Sequence, residues 1–391
     1  MLRSFVVTAM LICLSNTAIF CAQWSNIGLG GGGSIHTPAI SPVDGNFMLA
    51  SCDMSGVYRT LDGGVTWGMI DWQQINSSNG CTDCWPVVYP VCHPTDANIV
   101  YFWGKKGNTA AALLVSNDKG VTWNPLVNTP PWGSNVITKI YVDRGNPNLM
   151  FAGTATNAYR STNAGVSWSV CATVSGSIVG FLVDQASSTS NRTCYAASTS
   201  GVWRSKDHGA SWTSKITGLP ATPTLRSFSG GSTLTKTVLY CVETTSYDVY
   251  KSTTNGDSWV SVMGGTIDGS LEYFQVITAE AYPDTVYVND FPAAYDGKVY
   301  KSTDAGVTWQ QVWSPSISGG NVELGWIDYE IHLNPPSRGF TINPANANQV
   351  VGSRTVNYMT INGGTSWKQL FTKYADTGAQ AVGKKWSSKG L

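Results

Sequence analysis

Charge of either sign is scarce in this sequence, and neither sign is in excess. Only 12% of the 391 residues are charged, and 24 Lys and Arg balance 24 Asp and Glu, so the formal net charge at pH 7 is zero. A protein that binds nucleic acid concentrates Lys and Arg into a basic field opposite the phosphates. The balanced charge therefore argues against a nucleic-acid partner.

Long apolar runs are missing beyond the first residues of the chain. No stretch there approaches the roughly 20 apolar residues that a membrane-spanning helix needs, so no membrane partner is expected. Residues 1–22 combine Arg3 with an apolar run from Phe5 to Leu14, which is the pattern of a signal peptide. The sequence thus predicts a secreted protein, extracellular or periplasmic, with residues 23–391 as its mature part.

Residue patterns that bind metals or build nucleophilic triads are also absent. The chain has four scattered histidines, no second C-x-x-C beside Cys81 and Cys84, and no P-loop, zincin or Ser-His-Asp pattern. We therefore predict no metal site and no cofactor. Cys81 and Cys84 are expected to form a local disulfide or to have another structural role. Some of the seven cysteines after residue 22 are expected to pair, and the odd number leaves at least one free or joined to another chain. They are Cys52, Cys81, Cys84, Cys92, Cys171, Cys194 and Cys241.

What the sequence does contain is one eight-residue segment that occurs seven times. The first residues of the first and last copies, Thr60 and Thr360, are 300 residues apart, so the six intervals average 50 residues. A four-stranded propeller blade has a period of about 40 to 50 residues. We call each copy a box and predict one blade per box. The boxes are TLDGGVTW (60–67), SNDKGVTW (116–123), STNAGVSW (161–168), SKDHGASW (205–212), STTNGDSW (252–259), STDAGVTW (302–309) and TINGGTSW (360–367).

The positions of the box suit the closing of a β-hairpin. The first Ser or Thr, and the Asp or Asn at the third place of most copies, can bond nearby backbone N–H groups, and the fifth glycine accepts a positive φ. The eighth residue, Trp, is expected to begin the next strand and to pack between blades. Segments such as Val57-Tyr58-Arg59 before the box predict strand C, and segments such as 146–153 predict the A–B turn and strand B. We predict an all-β fold, a single seven-bladed β-propeller of four-stranded blades with the box at each C–D turn.

Alternate loops of a propeller lie on opposite faces. If all boxes share one face, the B–C loops and the D–A connections between blades share the other, where we expect the binding groups. Tryptophans outside the boxes would stack on sugar rings there, oriented by polar groups; alternatively, they only cover blade edges. The predicted site residues are Asp53, Trp72, Trp85, Trp132, Glu243, Asp290, Tyr295, Trp326 and Arg354.

Carboxylates in these loops suggest sugar hydrolysis. Glycoside hydrolases usually use two carboxyl groups, about 5 to 5.5 Å apart for retention of configuration and about 6.5 to 9.5 Å apart for inversion. Asp53 is the best candidate because it lies in the first B–C loop, facing the axis. The weaker candidates are Glu243, Asp290, Asp328 and Glu330.

The opening of the mature chain resembles a known family. The Gly-rich segment 27–34, the segment ISPVDGNFMLASCDMSGVYRT (40–60) and the following Ile70-Asp71-Trp72 look like the first propeller of the xyloglucanases of glycoside hydrolase family 74. The box resembles the Asp-box, or BNR repeat, which identifies a turn and not an activity. The resemblance implies that Asp53 is the catalytic base and that Trp72 lies near glucan-stacking aromatics. That family has two facing propellers, and its catalytic acid comes from the second.

Two interpretations of the chain therefore stay open. It is the first half of a longer two-propeller enzyme, or a single-propeller relative without that acid. In both cases the resemblance predicts a secreted, glycoside hydrolase-like propeller that acts on β-glucan or xyloglucan-type polysaccharide, with an incomplete catalytic pair in this chain. The alternative is a non-catalytic propeller that binds glycans or a protein, and an assembly or receptor propeller has only the box in its favour.

A sialidase is disfavoured. The chain has no Arg-Ile-Pro motif, and Arg59, Arg160 and Arg204 occupy equivalent positions beside their boxes. Equivalent repeat positions indicate a structural role for these arginines.

Overall fold

The computed structural model of the chain describes residues 35–52, 56–75, 90–127, 129–263, 273–290, 298–313, 320–322, 339–353 and 357–370. The predicted signal peptide, residues 1–22, lies outside these ranges. Within them the chain forms 28 β-strands and no helix. The described residues accordingly include no helix with the length and apolar character for crossing a membrane. The prediction of an all-β fold is confirmed.

Every four consecutive strands form one antiparallel sheet, which we call a blade and number 1 to 7 in chain order. Within each blade, strands A, B, C and D are neighbours in that order. The A strands are β1 (Ile35–Ile40), β5 (Val91–Cys92), β9 (Lys139–Val142), β13 (Ile178–Val183), β17 (Leu225–Ser232), β21 (Tyr273–Thr278) and β25 (Gly339–Asn343). The B strands are β2 (Met48–Cys52), β6 (Val100–Gly104), β10 (Met150–Gly153), β14 (Cys194–Ser198), β18 (Thr237–Glu243), β22 (Val286–Asp290) and β26 (Asn346–Ser353). The C strands are β3 (Val57–Thr60), β7 (Ala112–Ser116), β11 (Asn157–Ser161), β15 (Gly201–Ser205), β19 (Asp248–Ser252), β23 (Val299–Ser302) and β27 (Asn357–Thr360). The D strands are β4 (Gly68–Met69), β8 (Asn124–Pro125), β12 (Ser169–Ser175), β16 (Thr213–Ser214), β20 (Val260–Ser261), β24 (Gln310–Gln311) and β28 (Lys368–Gln369).

The blades close into a ring. Strand β1 of blade 1 packs against β25 of blade 7, in the same way that β17 packs against β13 and β21. At this seam, Nε2 of Gln349 donates a hydrogen bond to the carbonyl oxygen of Gly45 at 2.9 Å. The structure is therefore the predicted seven-bladed propeller, with the A strands around the axis and the D strands at the rim.

The hydrophobic core is divided among the seven interfaces between blades. Each interface holds one cluster of buried apolar side chains. The box tryptophan of every blade belongs to the cluster that its blade shares with the preceding blade; Trp67, for example, packs with Val351 and Leu370 of blade 7. The prediction that the box tryptophan packs between blades is confirmed.

The box closes its hairpin through a repeated set of hydrogen bonds, shown here for blade 4. Oγ of Ser205 donates to Oδ1 of Asp207 at 2.7 Å and accepts from the N–H of Gly209 at 2.8 Å. Oδ1 of Asp207 also accepts from the N–H of Ser211 at 2.9 Å. Nε1 of Trp212 donates to the carbonyl of Gly209 at 3.0 Å, whereas in blades 5 to 7 the box indole donates to a carbonyl of the preceding blade. Because the tryptophan still belongs to the turn, strand D begins one residue later than predicted.

The fourth box residue has a positive φ as well, although it is often not glycine. Lys119, Ala164, His208, Asn255 and Ala305 have φ angles between 54° and 61°, in the left-handed region that non-glycine residues rarely adopt. In five blades the carbonyl of the fourth residue accepts a hydrogen bond from a basic side chain of the preceding blade. The donor and acceptor pairs are Arg59 to Lys119, Arg160 to His208, Arg204 to Asn255, Lys251 to Ala305 and Lys301 to Gly363. The structural role predicted for the three arginines is confirmed.

The four cysteines whose side chains the structure describes are unpaired. Cys92, Cys171, Cys194 and Cys241 are all free thiols, so the expected pairing does not occur among them. Each belongs to, or packs against, the apolar core at a blade interface, where a thiol packs like a small hydrophobic group. Cys81 and Cys84 lie outside the described residues.

Candidate functional site

The strand order gives the propeller two different faces. The boxes and the A–B turns lie on one, which we call the box face. The B–C loops and the D–A connections lie on the other, which we call the loop face. Strand β2 ends at Cys52 and β3 begins at Val57, so the connection that contains Asp53 joins these strands on the loop face.

The predicted site residues fall into two groups. Asp53, Trp85, Tyr295, Trp326 and Arg354 lie outside the described residues. Asp290 ends strand β22, and its side chain is likewise outside the description. The structure does describe Trp72, Trp132 and Glu243, and it gives each of them a different environment.

Trp72 is an exposed aromatic residue on the loop face. Its side chain is 48% exposed, and it lies in a turn directly after blade 1. Asp71 closes this turn, because its Oδ1 accepts from the N–H of Gln73 at 2.9 Å and its carbonyl accepts from Gln74 and Ile75. Ile75 is fully buried. The turn is thus fixed to the core while the indole faces solvent.

The surroundings of Trp72 come from blades 1 and 2. The N–H of Gly107, in the B–C loop of blade 2, donates to the carbonyl of Trp72 at 3.3 Å. A Cβ at Gly107 would lie 3.8 Å from the Trp72 ring, so the loop backbone packs at van der Waals distance against the indole edge. Nζ of Lys106 is held by Oδ1 of Asn124 at 3.0 Å. Met69, which is also exposed, lies near Gly56 at the end of the Asp53 connection. Trp72 is thus fixed to the B–C loop of blade 2 through Gly107.

The inner edge of blade 1 contains an unusual backbone conformation. Thr37 has a φ of 46°, which is rare for a β-branched residue. A register shift separates His36 from Ala39 in the β1–β2 pairing. Oγ1 of Thr37 donates to Oγ of Ser51 at 2.9 Å in a buried contact, two residues before Asp53. Such strain persists only where the surroundings enforce it, and it often occurs beside functional groups.

Trp132 is a core residue, which corrects its prediction as a surface aromatic. It is 1% exposed and packs edge-on against Tyr159 and the box residue Trp168, with ring centroids 5.4 Å away in both cases. Trp313 repeats this arrangement between blades 6 and 7, against Tyr358 and Trp367. The D–A connections of blades 2 and 6 thus each close an interface with a tryptophan.

Glu243 is buried and its carboxylate is fully occupied, so it is not an exposed binding group. Its Oε1 accepts from the N–H of Thr224 and from the N–H and Oγ1 of Thr245. Its Oε2 accepts from the N–H and Oγ of Ser246 at 2.7 Å each. Burial favours the neutral acid, but these hydrogen bonds outweigh it and lower the pKa of Glu243 to about 2. The residue is an anion that shapes the B–C loop of blade 5.

Tyr247 is an exposed aromatic that the sequence did not single out. It ends the same B–C loop, is 53% exposed and has a φ of 53°. The loop is further tied to the blade 4–5 connection, because the N–H and Oγ1 of Thr244 donate to the carbonyl of Thr224. The Glu-Thr-Thr-Ser run before Tyr247, an acid followed by hydroxyl residues, is the sequence signal for this ordered loop.

A second polar group lies on the axis, toward the box face. Tyr141 donates from its hydroxyl to Oε2 of Glu280 at 3.3 Å, and Nε of Arg144 is 3.8 Å from the same oxygen. Burial raises the pKa of the Glu280 carboxyl to about 7, against the opposing charge of Arg144. These groups line a cavity of about 260 Å³ with Cys92 and several prolines. The sequence offered no signal for this cluster, since Tyr141 and Arg144 belong to blade 3 and Glu280 to blade 6.

Comparisons with known proteins relate the chain to xyloglucanases. The xyloglucanase Xgh74A of Acetivibrio thermocellus is 23% identical in an alignment 389 positions long that covers 80% of this chain and 45% of that protein. A xyloglucanase of Hypocrea jecorina is 26% identical in an alignment 346 positions long that covers 75% of this chain and 40% of that protein. The chain thus spans less than half the length of these curated relatives. No protein-family model matches it.

Solved structures show the same fold. The GH74 xyloglucanase from Xanthomonas campestris matches with a TM-score of 0.66 at 16% identity, over 90% of this chain and 56% of that one. The GH74 enzyme from Niastella koreensis matches with a TM-score of 0.66 at 19% identity, over 89% of this chain and 55% of that one. The resemblance to GH74 propellers expected from the opening segment is confirmed.

Proposed function

We propose that this chain is a secreted, carbohydrate-active propeller whose loop face binds β-glucan of the xyloglucan type. The observation that carries the proposal is Trp72, a solvent-facing indole on an anchored turn at the loop face. An exposed aromatic plane is the surface on which a sugar ring stacks. The similarity to xyloglucanases over 80% of the chain supports the choice of polysaccharide.

Hydrolysis is the activity that this similarity supports, and we assign Asp53 the role of general base. A carboxylate in this role takes a proton from the attacking water, while a second carboxyl group protonates the leaving oxygen. The strained Thr37 backbone and its hydrogen bond to Ser51 hold together strands β1 and β2, the latter of which directly precedes Asp53 in the sequence. Asp53 is assigned from the sequence resemblance.

The test of hydrolysis is release of reducing sugar from xyloglucan by the purified chain and by its Asp53→Ala variant. We expect activity in the wild type and a loss of at least about a hundredfold in the variant, since general base catalysis contributes about 10² to 10⁴. Asp284→Asn, on the box face, is the matched control and should be fully active. Equal release by wild type and Asp53→Ala would contradict the assignment.

The second candidate function is non-catalytic glycan binding on the same face. It is favoured by Glu243, whose carboxylate is engaged by the protein itself and is therefore not free to act as the second acid. Binding of xyloglucan without release of sugar would select this candidate. In both cases Trp72→Ala should weaken xyloglucan binding about tenfold, equivalent to about 1.4 kcal/mol.

A further inference from the structure

The loop face presents a second exposed aromatic, Tyr247 in blade 5. Its B–C loop is held by the Glu243 carboxylate, which accepts five hydrogen bonds from Thr224, Thr245 and Ser246. Tyr247 itself is in the left-handed region, with a φ of 53°. A bulky residue rarely adopts this conformation, and such strain is retained where the surroundings enforce it.

The exposure of Tyr247 is not explained by packing. The side chain is 53% exposed, and with the described part of the chain the ring makes none of the aromatic contacts that bury Trp132 or Trp313. The strand tyrosine three positions later, Tyr250, does pack against the apolar cluster between blades 4 and 5. The loop is thus rigid while its aromatic ring stays in solvent, which is the arrangement of a preorganised binding surface.

Tyr247 and Trp72 lie on the same face but far apart around the ring. Blade 5 is three blades from blade 1 in a ring of seven, which is the largest separation that such a ring allows. A ligand that contacts both residues must therefore cross the axis. A ligand path of this kind calls for a long chain, such as a polysaccharide.

We propose that Tyr247 is a remote stacking subsite for the polysaccharide chain, held in place by Glu243 as a positioning residue. The inference rests on the proposed function and extends it from a site at blade 1 to a path across the loop face. Its distinguishing consequence is dependence on ligand length. Removal of the Tyr247 ring weakens binding of the polymer and leaves binding of a short oligosaccharide at Trp72 unchanged.

The experiment measures the affinity of xyloglucan polymer and of a short xyloglucan oligosaccharide in an Asp53→Ala background, so that hydrolysis does not consume the ligand. Tyr247→Asn removes the ring and suits the left-handed backbone, so the variant folds. We expect about tenfold weaker polymer binding and unchanged oligosaccharide binding. Tyr247→Phe should bind both ligands like the parent. Tyr282→Ala, which removes an exposed tyrosine from the box face, is the matched control and should change neither affinity.

The outcomes separate the two proposals. If Trp72→Ala weakens binding and Tyr247→Asn does not, the remote subsite is wrong and the proposed function stands. If Tyr247→Asn weakens the binding of both ligands equally, Tyr247 supports the structure of the loop face and does not contact the polymer, so the remote subsite is also wrong. If the parent protein binds neither ligand, the proposed function fails and the subsite fails with it.

Discussion

Replacement of Glu243 by glutamine tests how a buried carboxylate stabilises the loop face. Glu243 is 0% exposed, and its two oxygens accept five hydrogen bonds. Glutamine has the same shape as glutamate. Its NH₂ group is itself a donor, however, and cannot accept the hydrogen bonds that one of the two carboxylate oxygens accepts. Hydrogen bonds to a charged group contribute about 1.5 to 3 kcal/mol each. We expect Glu243→Gln to lower the free energy of unfolding by about 3 kcal/mol at pH 7, since some donors will reach water instead.

The pH dependence gives an independent measure of the same effect. Burial raises and hydrogen bonds lower the pKa of Glu243, which falls from its ordinary 4.5 to about 2. A difference of this size corresponds to about 3 kcal/mol. Because the unfolded chain takes up the proton first as the pH falls, the stabilisation is complete above pH 4.5 and is lost toward pH 2. The difference between wild type and variant should therefore shrink as the pH falls.

The measurement is urea unfolding of both proteins, followed by tryptophan fluorescence at pH 7 and at pH 3. We expect the free energies of unfolding of wild type and Glu243→Gln to differ by about 3 kcal/mol at pH 7 and by about half as much at pH 3. Asp284→Asn, which removes an exposed carboxylate, is the control and should differ from wild type by less than about 1 kcal/mol. A difference below about 0.5 kcal/mol at pH 7, or one that is the same at both pH values, would refute the reasoning.

Three further predictions concern the stability of the seven-bladed propeller, and urea unfolding at pH 7 checks each of them. Arg192 and Asp143 form a buried ion pair at 2.8 Å, so Arg192→Met should lower the free energy of unfolding by about 3 to 5 kcal/mol. Lys236→Met breaks an exposed ion pair with Asp284 and should lower it by less than about 1 kcal/mol. Ala164→Gly, at a φ of 54°, should raise stability by about 1 kcal/mol, whereas Gly209→Ala should lower it, because the new Cβ would lie 2.7 Å from the Phe151 ring. Arg204→Met removes the donor to the Asn255 carbonyl and should lower the free energy of unfolding by about 1 kcal/mol. Arg204→Lys keeps a donor and should lower it by less.

The architecture could be predicted from the sequence because the box is closed by local interactions. Ser205, Asp207, Gly209 and Trp212 are bonded to one another within eight residues, so their spacing alone identifies the turn. The positive φ of the fourth residue could not be predicted from Lys119 or Ala164, since neither residue type favours it. At Lys119 that conformation is supported by Arg59 of the preceding blade, which is a contact between distant parts of the chain.

The site was harder to predict because exposure depends on neighbouring blades. Trp72 and Trp132 both follow a D strand, yet only Trp132 meets the rings of Tyr159 and Trp168 and is buried by them. Glu243 was assigned to a B–C loop, but it is the last residue of strand β18, and its carboxylate is occupied by the hydroxyl residues that follow it. Those same residues hold Tyr247, which sequence reasoning missed because a tyrosine in a loop has no spacing signal.

A crystal structure of the protein in complex with a xyloglucan oligosaccharide is the most direct test of ligand binding on the loop face. We predict a glucosyl ring stacked on the indole of Trp72, beside Met69 and the Lys106 loop. A sugar bound on the box face, or in the cavity beside Glu280 on the axis, would contradict the proposal.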